Sequence, residues 1–405
     1  MVQIPPITHG GREFIRAVQD LYSKGQSDYG LEPIVRVNRL KEPIGRIQDG
    51  DAVIFCCRRG EREIELTEAF VEPDFSHFER RFLENLRFVI LTLYHEKFSQ
   101  LPVAFAPSEL KNTLGEVISR AGLRQLRVAE SEKYAHVTFF LNGGNHQAFE
   151  GEVDICVPSP KGVAFDQVPE LSLEEVTSQV VNGVEQGFSL IVTNFANGDV
   201  IGHTANRQAK IQAARCVDQQ LGLVVDSALA DGYVVMLTAD HGNLEVLLTQ
   251  EGQPHVSHTE NPVQFVLLDG RAKEDAELQE GCLADIAPTI LAAMGVPKPV
   301  EMSGHSLAPD YDWGGQRKVL LVILDGWGIG NEDENNPIWL AKTGNWDEII
   351  CRYPGSKLLA SGEHVGLQPG KAGNSEAGHL NIGAGRLVLQ DDVRLDSALT
   401  DGSFF

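Results

Sequence analysis

Basic residues are scarce in this chain. Thirty-four Lys and Arg stand against 57 Asp and Glu, a formal charge of −23. No cluster of them supplies the positive patch that nucleic acid or anionic lipid needs as a general partner, so neither is expected. An anionic substrate would meet an unfavourable field, overcome only by a few placed cations. Cysteine is also sparse: Cys56, Cys57, Cys156, Cys216, Cys282 and Cys351 form no CxxC pair. They fit a reducing cytosol, with the thiols as small core hydrophobes. No uncharged apolar run approaches membrane-spanning length. The opening "MVQIPPITHGGREF" lacks the basic start and apolar core of a signal peptide. A cytoplasmic protein is expected. Internal repeats and low-complexity segments are absent as well.

What is present suits a folded chain of two or three domains: 405 residues, 42% hydrophobic and 22% charged. Residues 12–150 mix helical and strand-like pieces. "REFIRAVQDLY", "ERRFLENL" and "LKNTLGEVISRAGL" have helical spacing, the last ending at Gly122, whereas "DAVIFCC", "RFVILTLY", "LPVAFA" and "QLRVAE" read as strands. A Pro-punctuated stretch, "CVPSPKGVAFDQVPEL", reads as an extended linker. From about 165 onward the pattern is regular. The apolar strands "SLIVTNFA", "YVVMLTA", "VQFVLLDG" and "KVLLVILDG" alternate with helices, which implies a parallel sheet covered on both faces.

Three of these strands end in similar groups. "VLLVILDGWG" delivers Asp325, "VVMLTADHGN" delivers Asp240 and His241, and "LIVTNFANGDVIGHT" delivers Asp199 and His203. "QPHVSHTENPVQF" adds His255 and His258 before a further strand. In an open α/β sheet, ligands bind at the carboxyl ends of strands. Each item alone has a bland reading: Asp before Gly is a common turn, a DH pair can be a polar loop, and Asp199 with His203 can be a surface pair. Together they are stronger. Several carboxylates at one edge repel unless protonated or neutralised, and interleaved histidines favour metal over protons. Asp and His donors without Cys suit Mn²⁺ or Zn²⁺ ahead of Mg²⁺.

Ser375, in "GKAGNSEAGHLN", opens a possible helix. Its commonest use there is as an N-cap, accepting from the N–H of Ala377 or Gly378. The alternative is a nucleophile at a helix N-terminus, where the dipole favours an anion. Divalent ions at the neighbouring sheet edge would favour its alkoxide and make it a phosphoryl acceptor.

The stretches "VLLVILDGWGIG", "GNSEAGHLNIGAGR", "EKYAHVTFFLNGG", "NFANGDVIGHT" and "TADHGN" resemble the cofactor-independent (2,3-bisphosphoglycerate-independent) phosphoglycerate mutases of the alkaline phosphatase superfamily. Shorter likenesses are "RIQDGDAVIF", "NTLGE", "VPSPK" and "HVSHTENPV". The resemblance implies an alkaline phosphatase-like parallel-sheet α/β sandwich with a second, smaller α/β domain. It implies two divalent ions, manganese first with zinc or magnesium as alternatives, and no 2,3-bisphosphoglycerate. One ion would use Asp199, His203 and His258, the other Asp325, Ser375, Asp240 and His241. Ser375 would be phosphorylated by 3-phosphoglycerate and would return the phosphoryl group to the 2-hydroxyl of the reoriented glycerate. Lys133, assigned to the other domain, would neutralise charge on the transferring group, and Arg59 and Arg62 would grip the small-molecule substrate. A solvated helix face is the bland reading of Lys133. A monomer is expected.

The order departs from the family. There the piece holding "LDGWG", "GNSE" and "NIGAGR" comes first; here it begins near Lys318, after "VEMSGHSLAPDYDWGGQR", which resembles the family's C-terminal end. The chain thus reads as a circular permutation joined within Leu307 to Arg317. The family's "SDGGVHSH", "DGRD" and "GRYYAMDRD" segments are not found, so the substrate-binding domain reads as incomplete. The expected division is 1–155 for that domain, 156–164 as linker, 165–390 for the metal-binding domain, and 391–405 as a tail returning to the first. Gly198, Glu61 and the "CC" pair at 56–57 are smaller departures. Rival readings are a metal-dependent phosphatase using the same serine, phosphopentomutase-like chemistry, and a non-catalytic scaffold.

Overall fold

The apolar run Val319–Leu324 is buried at every position in the computed structural model, which describes residues 10–26, 31, 33–56, 62–105, 110–271 and 276–403. A strand buried on both faces belongs in the middle of a sheet, and the topology agrees. The chain divides into two units, Met1–Pro107 and Ser108–Phe405.

In the smaller unit, α1 (Gly10–Ser23), β1 (Ala52–Phe55), α2 (Arg62–Val71), β2 (Arg87–Thr92) and β3 (Val103–Phe105) follow one another. The strands form a parallel sheet in the order β1-β2-β3, with Phe88, Ile90 and Phe98 at its core. The expected helix at "ERRFLENL" is absent. Residues 79–86 are irregular because Asn85 adopts φ 56° and turns the chain into β2, while the Arg80 guanidinium caps the Glu72 carbonyl after α2.

The larger unit contains α3 (Leu114–Arg120), β4 (Gln125–Glu130), β5 (Glu152–Val157), α4 (Leu173–Glu185), β6 (Leu190–Phe195), α5 (Asn197–Gly202), α6 (Arg207–Ala230), β7 (Val234–Thr238), β8 (Val263–Asp269), β9 (Gly281–Cys282), α7 (Ile286–Met294), β10 (Val319–Leu324), α8 (Pro337–Ala341), α9 (Gly344–Arg352), β11 (Gly355–Leu359), α10 (Ser375–Ala384) and α11 (Asp391–Asp401). Its eight strands lie in the order β5-β4-β6-β10-β7-β8-β11-β9. The central β4, β6, β10 and β7 are parallel, whereas β8 runs antiparallel to both β7 and β11. The parallel core matches the sequence pattern, and the antiparallel β8 is the exception.

The expected boundary at 155 is corrected by strand pairing. β4 joins β6 residue for residue from Gln125↔Leu190, and β5 joins β4, so both belong to the large sheet. The stretch at 156–164 therefore connects two parts of one unit: Ser159 is buried and its N–H donates to the Ser131 hydroxyl. The 391–405 tail begins with α11, which also falls in the larger unit. Among the described residues the thiols are not core groups: Cys56, Cys156 and Cys351 are exposed, Cys216 and Cys282 half-buried, and all five unpaired, while Cys57 lies outside those residues. Cys156 shows why, since β5 is the sheet edge. Among the described residues no helix is long and apolar enough to cross a membrane.

The segment from Leu307 to Arg317 is packed down. Leu307 and Ala308 are buried, the Tyr311 and Trp313 rings pack at a tilt of 52° with centroids 4.5 Å apart, and the Arg317 fork donates to both Asp269 carboxylate oxygens at 2.6 and 3.0 Å. Burial alone would raise the Asp269 pKa, but Arg317 and Arg271 draw it down to about 2. A depressed carboxylate contributes its full stability above its ordinary value of about 3.9 and loses it as pH falls toward the folded value. Asp269→Ala leaves Arg317 only backbone carbonyls and no charged partner, so a loss of about 3–5 kcal/mol is expected in urea unfolding at neutral pH. The difference from wild type should shrink once acid has protonated Asp269.

Candidate functional site

Parallel strands with shared direction deliver their carboxyl ends to one edge. Asp325 follows β10 directly, Asp240 lies two residues beyond β7, and Asp199 sits in α5, just after β6. Gly326, at φ 73°, lets the chain turn behind Asp325. A Cβ there would lie 2.7 Å from the Asp199 backbone nitrogen, so the close approach of the two loops requires glycine.

Both expected ligand sets come together. Asp199 Oδ1 lies 3.2 Å from His203 Nε2 and 3.0 Å from His258 Nε2. His241 Nε2 lies 3.0 Å from Ser375 Oγ, 3.5 Å from Asp240 Oδ2 and 3.6 Å from Asp325 Oδ1. The two sets are contiguous: His241 groups with Asp199 and His258 as well as with Asp240 and Asp325, ligand atoms within 4.8 Å in each group. His255 is not among them; its carbonyl accepts from Lys210 Nζ at 2.6 Å.

The capping role at Ser375 falls to its neighbour. Asn374, in extended conformation, is the N-cap of α10, and its side chain accepts from the Ala377 N–H at 2.8 Å. Ser375 is the first helical residue, buried, and free of capping duty. Its hydroxyl donates to Asp325 Oδ1 at 3.2 Å and accepts from Lys133 Nζ at 2.7 Å.

Lys133 is neither on a solvated helix face nor in the smaller unit. It follows β4 in the larger unit, is buried, and also donates to Asp199 Oδ2 at 2.6 Å and to Asp325 Oδ1 at 2.9 Å. The backbone beyond it forms a wide turn, His136–Phe140, closed by Leu141 N–H to the His136 carbonyl at 3.1 Å. Arg62 is the first residue of α2 in the smaller unit, and Arg59 lies outside the described residues.

Electrostatics follow from crowding. Burial disfavours the Lys133 ammonium, but Asp325, Asp199 and Asp240 outweigh it and raise its pKa. Burial would raise Asp199, yet Lys133 and the bonds to His203 and His258 hold it well below the usual range. Asp240 is likewise lowered, burial being overcome by His241 and His379. Asp325 moves the other way, raised by burial and then by the Asp240 charge. The Asp199 hydrogen bond raises His203. For His258 burial opposes, and Asp199 again prevails to raise it. His136, beside His379 and Lys133, is pushed down to about 2, first by burial.

Three supporting residues escaped the sequence reading. Asn194 Nδ2 donates to Asp325 Oδ2 at 2.6 Å and to His379 Nε2 at 3.1 Å. His379 Nδ1 then donates to the Ser375 carbonyl at 2.8 Å. Asn243 Nδ2 donates to Asp199 Oδ1 at 2.9 Å. Asn194 interrupts an apolar strand, and His379 lies one turn after Ser375; those positions were the available signals.

The residues fit divalent metal. Asp240 Oδ2 is buried and accepts no hydrogen bond, and three carboxylates converge on one ammonium. Oxygen and imidazole donors without thiolate suit such ions.

The metalloenzyme superfamily matches residues 23–298 and 317–400. The 2,3-bisphosphoglycerate-independent phosphoglycerate mutase 1 of Methanosarcina acetivorans is 44% identical over 294 residues, 72% of this chain and 56% of that protein. The mutase of Pseudomonas putida is 43% identical over 300 residues, 73% and 57% of the two chains. A Leishmania mexicana phosphoglycerate mutase solved at low cobalt concentration has a similar fold, with TM-score 0.56 and 27% identity over 74% of this chain and 58% of that one. The chain thus spans little more than half the length of these relatives. It has the alkaline phosphatase-like α/β fold of those mutases and belongs to the metalloenzyme superfamily.

Proposed function

We propose that the chain interconverts 3-phosphoglycerate and 2-phosphoglycerate through a phosphoserine at Ser375. One observation carries the reading: a buried serine hydroxyl, relieved of capping by Asn374, lies 2.7 Å from the Lys133 ammonium and 3.0 Å from His241. Asp199, His203 and His258 would hold one divalent ion, and Asp325, Asp240, His241 and Ser375 the other, with manganese proposed first. When bound, such ions lower the pKa of a hydroxyl and neutralise phosphoryl charge.

The remaining chemistry belongs to the side chains. Ser375 Oγ attacks phosphorus, its proton directed to Asp325 Oδ1, and the bond from phosphorus to the 3-oxygen breaks, that oxygen leaving with the proton Asp325 took up. Lys133 stabilises charge on the transferring group from beside Oγ. The N-terminus of α10 favours the phosphoserine anion. His379 holds the Ser375 carbonyl and Asn194 holds Asp325, so nucleophile and proton acceptor keep their spacing. The glycerate then turns, its 2-hydroxyl attacks the phosphoserine and gives its proton to Asp325, and the bond from phosphorus to Oγ breaks as that proton returns to Ser375. Arg59 and Arg62 are proposed, from the resemblance alone, to hold substrate carboxylate and phosphate. The permuted order and a monomeric state in the cytoplasm belong to the same reading.

The test is to incubate the purified chain with 3-phosphoglycerate and Mn²⁺ and to assay 2-phosphoglycerate and free phosphate together. Isomer is expected. Phosphate alone would replace the mutase by a phosphatase, and neither product with metal bound would favour a scaffold.

A further inference from the structure

Glu245 is a buried carboxylate, 2% exposed, with no part in the reaction above. Its Oε2 accepts from the backbone N–H of Asn243 at 2.8 Å and of Gly328 at 3.1 Å. Its Oε1 accepts from the Thr259 hydroxyl and from Asn261 Nδ2 at 2.9 Å. These donors sit on three loops that also carry Asp240 and His241, Asp325, and His258. Gly328 makes room for the carboxylate: a Cβ there would lie 2.5 Å from Glu245 Cδ.

The loop carrying His258 is held at both ends. Thr259 and Asn261 bind Glu245 on one side. On the other, Lys210 Nζ donates to the His255 carbonyl at 2.6 Å, and His203 Nδ1 donates to the Val256 carbonyl at 2.9 Å. Between them His258 Nδ1 donates to the Gly373 carbonyl at 2.8 Å, which leaves Nε2 facing Asp199. Asn243, whose N–H meets Glu245, holds Asp199 from its side chain.

We infer that Glu245 is a positioning residue that fixes Asp199, His203 and His258 relative to one another by tying these loops together. The inference rests on the two-ion reading above. It is selective by geometry. Asn243 and Thr259 flank the first ligand set, whereas Asp325 is held independently by Asn194 at 2.6 Å and by its N–H to the Phe195 carbonyl at 3.2 Å. The chemistry requires a carboxylate, which accepts on both oxygens. A glutamine turns an NH₂ group toward one of the two donor pairs.

The experiment is calorimetric titration of metal-free protein with Mn²⁺, with His203→Ala marking the first site and Asp325→Asn the second. Wild type should bind two ions. Glu245→Gln should weaken the first about tenfold or more, the range typical when a partner of a metal ligand is removed, and change the second little. Equal weakening at both sites, or none at either, overturns the inference and leaves the two-ion reading standing. A wild type that binds no ion overturns both. If Glu245→Gln does not fold, Thr259→Val removes one hydroxyl alone; a smaller loss confined to the first site supports the inference, and unchanged affinity at both sites overturns it.

Discussion

Ser375→Ala is expected to abolish phosphoenzyme formation and isomerisation together, while the protein stays folded. The nucleophilic oxygen is the only atom removed, and no other hydroxyl is proposed to meet both Lys133 and His241. Folding should be little affected because the α10 cap is Asn374, which keeps its bond to the Ala377 N–H. Had Ser375 been the cap, the same change would cost about 1 kcal/mol of stability. Rapid-quench assay of labelled phosphoenzyme, beside a thermal melt, separates the two roles: no label with an unchanged melt is the expected pair.

The second large effect concerns Lys133→Met. Catalysis should fall by an amount typical of one electrostatic contact to a transition state, about 2.7–4 kcal/mol in kcat/KM. The metal response should be opposite in sign. Lys133 Nζ is the ammonium that Asp199 and Asp325 share at 2.6 and 2.9 Å. Without it those carboxylates, with Asp240 nearby, are buried and unneutralised. The metal-free variant should lose about 3–5 kcal/mol, as when one partner of a buried ion pair is removed. Divalent ions should then restore stability by mass action, with affinity raised rather than lowered. A raised lysine pKa adds stability that is whole below its ordinary value of about 10.4, so neutral pH is the place to measure the loss. Urea unfolding with and without Mn²⁺ checks both signs.

Much of the site was legible because its residues break strong patterns. Asp325, Asp240 and Asp199 each follow a run of apolar strand residues, and a parallel sheet sends such ends to one edge. Lys133 is legible as a motif residue, but its unit is not: it lies in the larger one. "QLRVAE" and "EVDICV" look like strands of any sheet, and nothing in their apolar periodicity says that β4 pairs with β6 at 125↔190. Arg127 adds to the ambiguity, a charged residue fully buried in β4. Whether Ser375 caps α10 is open in the sequence because Asn and Ser accept equally well at that position; the cap is Asn374. Asn194, Asn243 and Glu245 act through hydrogen bonds to loops distant in sequence, which local spacing does not encode. "ERRFLENL" has helical spacing, but the Asn85 turn and the pull of Arg80 on Glu72 override it.

The central claim is that Ser375 carries the phosphoryl group between the two positions of glycerate. The most direct measurement is to quench the chain during turnover with 3-phosphoglycerate and Mn²⁺, digest it, and locate phosphate by tandem mass spectrometry. Phosphate on Ser375, chased away when unlabelled substrate is added, is the predicted result. Isomerisation with no phosphate on Ser375, or with phosphate on another residue that turns over at the catalytic rate, would contradict it.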